Sequence, residues 1–109
     1  MTDIVLLEKT KQLLANAPIT GQDFDTKVQK LLEGEYLHRL ARYRHTDFLL
    51  TLKYEMSFDK FVKQRVVRQK NYSWDSESDA MEWESAVSGM RTMERLLREL
   101  RKAEYVQNL

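Results

Sequence analysis

Two blocks of opposite charge lie side by side in the chain. Lys60, Lys63, Arg65, Arg68 and Lys70 follow one another without an acid between them, and Asp75, Glu77, Asp79, Glu82 and Glu84 follow without a base. The basic block can hold nucleic-acid phosphates, and Tyr72 and Trp74 beside it offer ring faces on which bases stack. The acidic block, with Trp74 and Trp83 nearby, can form an anchored surface for a basic protein partner. The two uses oppose each other, because an acidic neighbour so close in sequence repels phosphate. The plainest arrangement is structural: the blocks face one another across a loop, and the acids open a helix whose dipole favours negative charge there. The partner-binding candidates are Trp74, Asp75, Glu77, Asp79, Glu82 and Glu84. Lys60, Lys63, Arg65, Arg68 and Lys70 carry the nucleic-acid alternative. Trp74 lies in a polar loop, where it either folds back as a lid or serves as a contact.

Other chemistry is sparse. The only histidines, His38 and His45, are seven residues apart, about 10 Å along a helix axis, too far to chelate one metal readily. With no Cys in the chain, neither a metal site nor a cofactor is expected. Gly21, Gly34 and Gly89 are isolated, so no loop cradles phosphate, and neither HExxH nor GxSxG occurs. Arg39 and His45 make an Arg-x5-His pair. That spacing resembles the R-x(4–6)-H motif of HEPN helical-bundle ribonucleases. The resemblance implies a role for the pair at the 2′-hydroxyl proton and the charged phosphate transition state. The chain departs from that family at Leu40, where a polar residue is usual. The chain is read as non-enzymatic, with the ribonuclease as an alternative.

These side chains need long helices to position them. The 109 residues are 42% hydrophobic and 32% charged with three Gly and one Pro, a composition that favours helices and suits a single domain. A first helix is expected to start near Thr2 or Asp3 and end before Pro18, with Ile4, Leu7 and Leu14 on one face. Turn chemistry occupies Pro18–Asp23. Val28, Leu32, Tyr36, Leu40, Tyr43 and Leu50 then predict one long helix over about 23–56. Gly34 inside it marks either a close helix contact or a break. Ser57 is the expected cap of a short helix over about 58–67, and Arg68–Asp75 is expected as a loop. Ser76 and Asp79 form a capping-box-like pair opening a helix over about 77–104. Trp83, Ala86, Met90, Met93, Leu97 and Leu100 step by three and four along that helix, the seam of a heptad, with Glu94 and Arg98 pairing on its solvated side. From Glu104 onward the helix is expected to fray.

The result is an all-α helical bundle whose apolar stripes are wide enough to predict a homodimer. The longest apolar runs, Ile4–Leu7 and Phe48–Leu50, are far too short to span a bilayer, and no leader-like pattern opens the chain; a cytoplasmic location is expected. The formal net charge of +1 provides no global field towards nucleic acid or membrane.

Two further elements carry a resemblance. Lys53-Tyr-Glu-Met-Ser-Phe-Asp-Lys-Phe61 forms a K-Y-x-M-S-F-x-x-F element, and Asp79, Trp83 and Glu84 form a D-x-x-x-W-E element. From about Glu35 to Leu100 the chain resembles small prokaryotic helical proteins of the antitoxin type, encoded beside a toxin or nuclease gene. The resemblance implies a role in binding and masking such a partner. Read from the residues, both elements are first structural: Met56, Phe58 and Phe61 close a helix–helix corner, and Trp83 opens the heptad seam.

Overall fold

The structure, a computed structural model, describes residues 5–21 and 23–107. These residues fold as α1 (Glu8–Asn16), α2 (Phe24–Tyr54), α3 (Phe58–Lys63), α4 (Val66–Gln69) and α5 (Trp74–Gln107), with no strand among them. No described helix is long and apolar enough to cross a membrane.

α1 starts later than its sequence suggests. Leu7 precedes its first turn and makes no side-chain cap, while Thr2, Asp3 and Ile4 lie outside the described residues. Its end is fastened by a residue of the next helix. The Lys27 ammonium, buried against α1, donates to the Leu14 and Ala15 carbonyl oxygens at 3.0 and 2.9 Å. A cation there satisfies acceptors that the helix leaves open and complements its dipole. Between the two helices, Gly21 adopts φ +125°, and a Cβ there would lie 2.6 Å from Thr26 Cγ2, so the turn requires glycine.

α2 is one continuous helix, as expected. Its first turn is capped by Asp23, whose carboxylate accepts from the Thr26 N–H at 2.7 Å and is held below the usual carboxylate range by that bonding. Gly34 is neither a break nor a close contact, since a Cβ there would meet open space. The close contact falls on α5: a Cβ on Gly89 would lie 2.5 Å from Cε2 of Tyr43.

The expected 58–67 helix is two helices. Arg65, in the left-handed region at φ 52°, separates α3 from α4. The cause is burial: Phe61 and Val66 both enter one cluster with Leu50 and Trp83. In an unbroken helix, side chains five apart would diverge by about 140°. α4 absorbs Arg68 and Gln69 from the expected loop, Asn71 and Tyr72 turn the chain with positive φ, and α5 begins at Trp74. α5 continues as a helix through Glu104 to Gln107 rather than fraying.

The heptad seam is as predicted. Trp83, Ala86, Met93, Leu97 and Leu100 are buried and Met90 is half-buried, with Leu40 of α2 packed against Met93 and Leu97. The closed bundle is not. α2 and α5 pair antiparallel as a long hairpin, with α1 on the first half of α2 and α3–α4 at the far end. The described chain measures 57 × 31 × 30 Å, with a radius of gyration of 19.8 Å. A compact domain of this length has about 13 Å.

Candidate partner-binding site

The N-terminal turns of α5 carry the acids, both tryptophans and the D-x-x-x-W-E element, and the K-Y-x-M-S-F-x-x-F element at the end of α2 and in α3 packs against them. Ser73, not Ser76, is the cap. Its Oγ accepts from the Ser76 N–H at 3.2 Å, and the fully buried Ser76 hydroxyl donates to the Ser73 carbonyl at 3.0 Å. Trp74 is therefore the first residue of a rigid helix. At 83% exposed it covers nothing, which rules out a lid.

The acids and the basic block do not neutralise one another; no ion pair joins them among the described residues. Two acids instead meet Lys53 near the end of α2. The Lys53 ammonium donates to Asp79 Oδ2 at 2.6 Å and to Asp75 Oδ2 at 2.9 Å, while Tyr54 Oη donates to Asp79 Oδ2 at 2.6 Å. Burial pushes the Asp79 carboxyl up, but the Lys53 and Tyr54 hydrogen bonds outweigh it and leave the group below the usual range. Burial and the bond to Asp79 push the Tyr54 phenol up to about 12. The hydrogen bonds to Asp79 and Asp75 raise Lys53 above the ordinary lysine value. Asp79, with its side chain 14% exposed, braces α2 against α5 and is not offered outward, whereas Asp75 stays open to solvent.

The two sequence elements meet in a single cluster. The ring centroids of Tyr54, Phe58 and Phe61 lie 5.8, 5.4 and 5.0 Å from that of Trp83. Trp83 is fully buried, and its indole N–H donates to Asp47 Oδ1 at 2.8 Å. Every aromatic residue of the two elements is thus committed to the corner.

What α5 turns outward is a different set. Trp74 and Met81, seven residues apart, stand 83% and 73% exposed on one side of the helix. Glu77 and Glu84, each three residues further on, are exposed beside them and form no ion pair among the described residues. Glu82 is exposed on the flank. Ser78, Ser85 and Ser88 fill the positions between, so from Trp74 to Ser88 this side of the helix itself carries no Lys or Arg and no bulky side chain other than its two anchors, while Arg65 and Arg68 share a cleft with Glu84 at its edge.

The remaining candidates are dispersed. Lys63 pairs with Asp59 at 2.9 Å, while Lys60, Arg65, Arg68 and Lys70 make no ion pair among the described residues. Arg65, Arg68 and Glu84 line one cleft of about 640 Å³ together with Phe58, Phe61, Val62 and Val66. Arg39 is held by Glu35 at 2.7 Å. Six residues along a straight helix, His45 points about 120° away from it, so one chain does not bring the two groups together on a phosphate. Among the described residues no cluster of His, Asp and Glu could hold a metal ion. Glu94 meets Arg44 of α2 at 3.6 Å instead of Arg98.

Comparison of the chain with protein-family models, with curated proteins and with solved structures yields no match.

The ties made by Lys53, which stands out only as the first residue of the K-Y-x-M-S-F-x-x-F element, and by Lys27 are not legible in the sequence. Both lysines are lone cations on an otherwise ordinary helix surface. Only the partners brought in by the fold, 22 to 26 residues away for Lys53 and 12 to 13 for Lys27, make them structural.

Proposed function

We propose that the chain is a non-enzymatic protein-interaction module of the antitoxin type, working in the cytoplasm as a homodimer and covering a basic surface on a toxin or nuclease partner. The observation that carries this reading is the outward face of α5, where Trp74 and Met81 stand exposed beside unpaired Glu77 and Glu84. An exposed tryptophan on a helix starts from an ordered backbone, so docking has only its two side-chain torsions to fix. Flanking carboxylates steer a basic partner and mask the Arg or Lys groups that such a partner needs for its own phosphate-containing substrate. Asp75 contributes at the edge while remaining on Lys53. Asp79 acts by holding α5 in place.

Pull-down with tagged chain, followed by titration of the purified partner, tests the proposal. A basic protein retained by the wild type is expected to be lost from Trp74→Ala/Met81→Ala, and weakened about tenfold or more by combined Glu77→Gln, Glu82→Gln and Glu84→Gln. Binding indifferent to both sets removes the reading.

A second reading is favoured by the cations in and flanking α3 and α4 that lack acid partners among the described residues. Lys60, Arg65, Arg68 and Lys70 would bind a nucleic-acid backbone, with affinity falling steeply as salt rises. Salt-independent binding, or none, removes it.

A further inference from the structure

α2 carries a second apolar row that no part of the described chain covers. Its residues facing α5 are Tyr36, Leu40, Tyr43, Leu50 and Tyr54, all buried or half-buried. Leu37, Ala41, Phe48 and Leu52 fall together about 130° away around the helix axis. There Leu37 is 45%, Phe48 58% and Leu52 59% exposed. A helix that is apolar on two sides is one built to be buried on both. α1 reaches only the first half of α2, and α3–α4 pack on the cluster around Trp83.

We propose that a second copy of this chain covers the row, α2 packing antiparallel on α2 about a two-fold axis between residues 44 and 45. The inference rests on the homodimer named above and assigns its face. Three observations favour a second copy over another occupant. First, the row is self-complementary. Reversed about that axis, Leu37 meets Leu52 of the other copy and the small Ala41 meets Phe48, which an isologous interface requires. Second, the area suffices. The exposed parts of Leu37, Phe48 and Leu52 come to on the order of 300 Å² per copy, so two copies supply about 600 Å² of apolar surface, the non-polar share of a contact of about 1,000 Å², the size that a specific interface must clear. Third, the charge near the axis is compensated within each copy, because Arg44 lies 3.6 Å from Glu94 of its own α5. The net charge of +1 opposes pairing little. The extended hairpin, with its radius of gyration of 19.8 Å, thereby becomes half of a wider helical layer. α2 lies inside that layer, and each α5 presents Trp74 and Met81 outward.

Light scattering on the full chain, with single cysteines introduced into this Cys-free sequence, tests the arrangement. The expected mass is twice the 13.0 kDa of one chain. His45→Cys, beside the axis, should cross-link to its own copy under mild oxidation. Leu52→Cys should not, because antiparallel pairing holds the two copies of that position about 22 Å apart along the axis. Phe48→Glu should weaken association about 100-fold or more with helicity unchanged by circular dichroism, whereas Val62→Glu, on α3 outside the row, should leave it intact. A monomeric wild type overturns the proposal, as does equal cross-linking at residues 45 and 52. A dimer untouched by Phe48→Glu overturns this face while leaving a homodimer standing. A monomer that still holds a basic partner through Trp74 leaves the interaction module standing.

Discussion

Trp83 is fully buried, and its indole N–H is satisfied by Asp47 Oδ1 at 2.8 Å, a bond between helices across 36 residues of sequence. The pair fixes how far α5 slides along α2. The same indole ring is the surface on which Tyr54, Phe58 and Phe61 pack.

The two tryptophans should separate cleanly. Trp83→Ala is expected to cost about 3–5 kcal/mol in urea unfolding, from lost burial and the cavity left behind. Asp47→Ala should cost about 1–3 kcal/mol by leaving the indole N–H without its partner. Trp74→Ala, at an exposed position, should stay within about 0.5 kcal/mol of the wild type. Acrylamide should quench the fluorescence of Trp74 and spare that of Trp83.

Gly34 and Gly89 should respond with opposite signs to the same change. Gly34→Ala places a methyl in open space and gains helix propensity, so stability should rise by up to about 1 kcal/mol. Gly89→Ala gains the same propensity but drives a Cβ into the Tyr43 ring, which is itself packed on the Leu40, Met93 and Leu97 cluster. The overpacking should dominate and destabilise by about 1–3 kcal/mol in the same urea assay.

The Lys53–Asp79–Tyr54 brace predicts pH dependence at both ends. Asp79 titrates below its unfolded value, so its contribution is present above the ordinary carboxylate range and lost as pH falls through the lowered folded value. Tyr54, raised to about 12, and Lys53, raised likewise, contribute fully below about pH 10 and lose that contribution as pH climbs through their folded values. Urea midpoints should therefore fall on acidification below about pH 4 and again above about pH 10. Asp79→Asn should lower the midpoint at pH 7 and flatten both limbs. Unchanged limbs in that variant would show that the brace does not set them.

Lys27 should govern α1 alone. Lys27→Met removes the donor to the Leu14 and Ala15 carbonyls while keeping much of the stem's packing. Hydrogen exchange of α1 amides should quicken by about one to two orders of magnitude, the equivalent of one or two lost hydrogen bonds, with α2 and α5 protection unchanged.

The two long helices, α2 and α5, and their inward sides are legible in the sequence. The seam from Trp83 to Leu100 and the continuity of α2 follow from periodicity, a local property that each helix carries about its own axis. Tertiary structure decided which residues meet. The left-handed turn at Arg65 exists because Phe61 and Val66 must reach one cluster, a demand that no six-residue stretch announces. The acidic block was legible as a block. That Asp79 turns in to Lys53 and Tyr54, while Glu77 and Glu84 stay out beside Trp74 and Met81, depends on the register of α5 against α2. The physical reason is that composition and spacing report how apolar each side of a helix is. Sliding or rotating one helix against another leaves those patterns unchanged and alters every pair across the interface, so only the packed fold selects Trp83 for Asp47 and Gly89 for Tyr43.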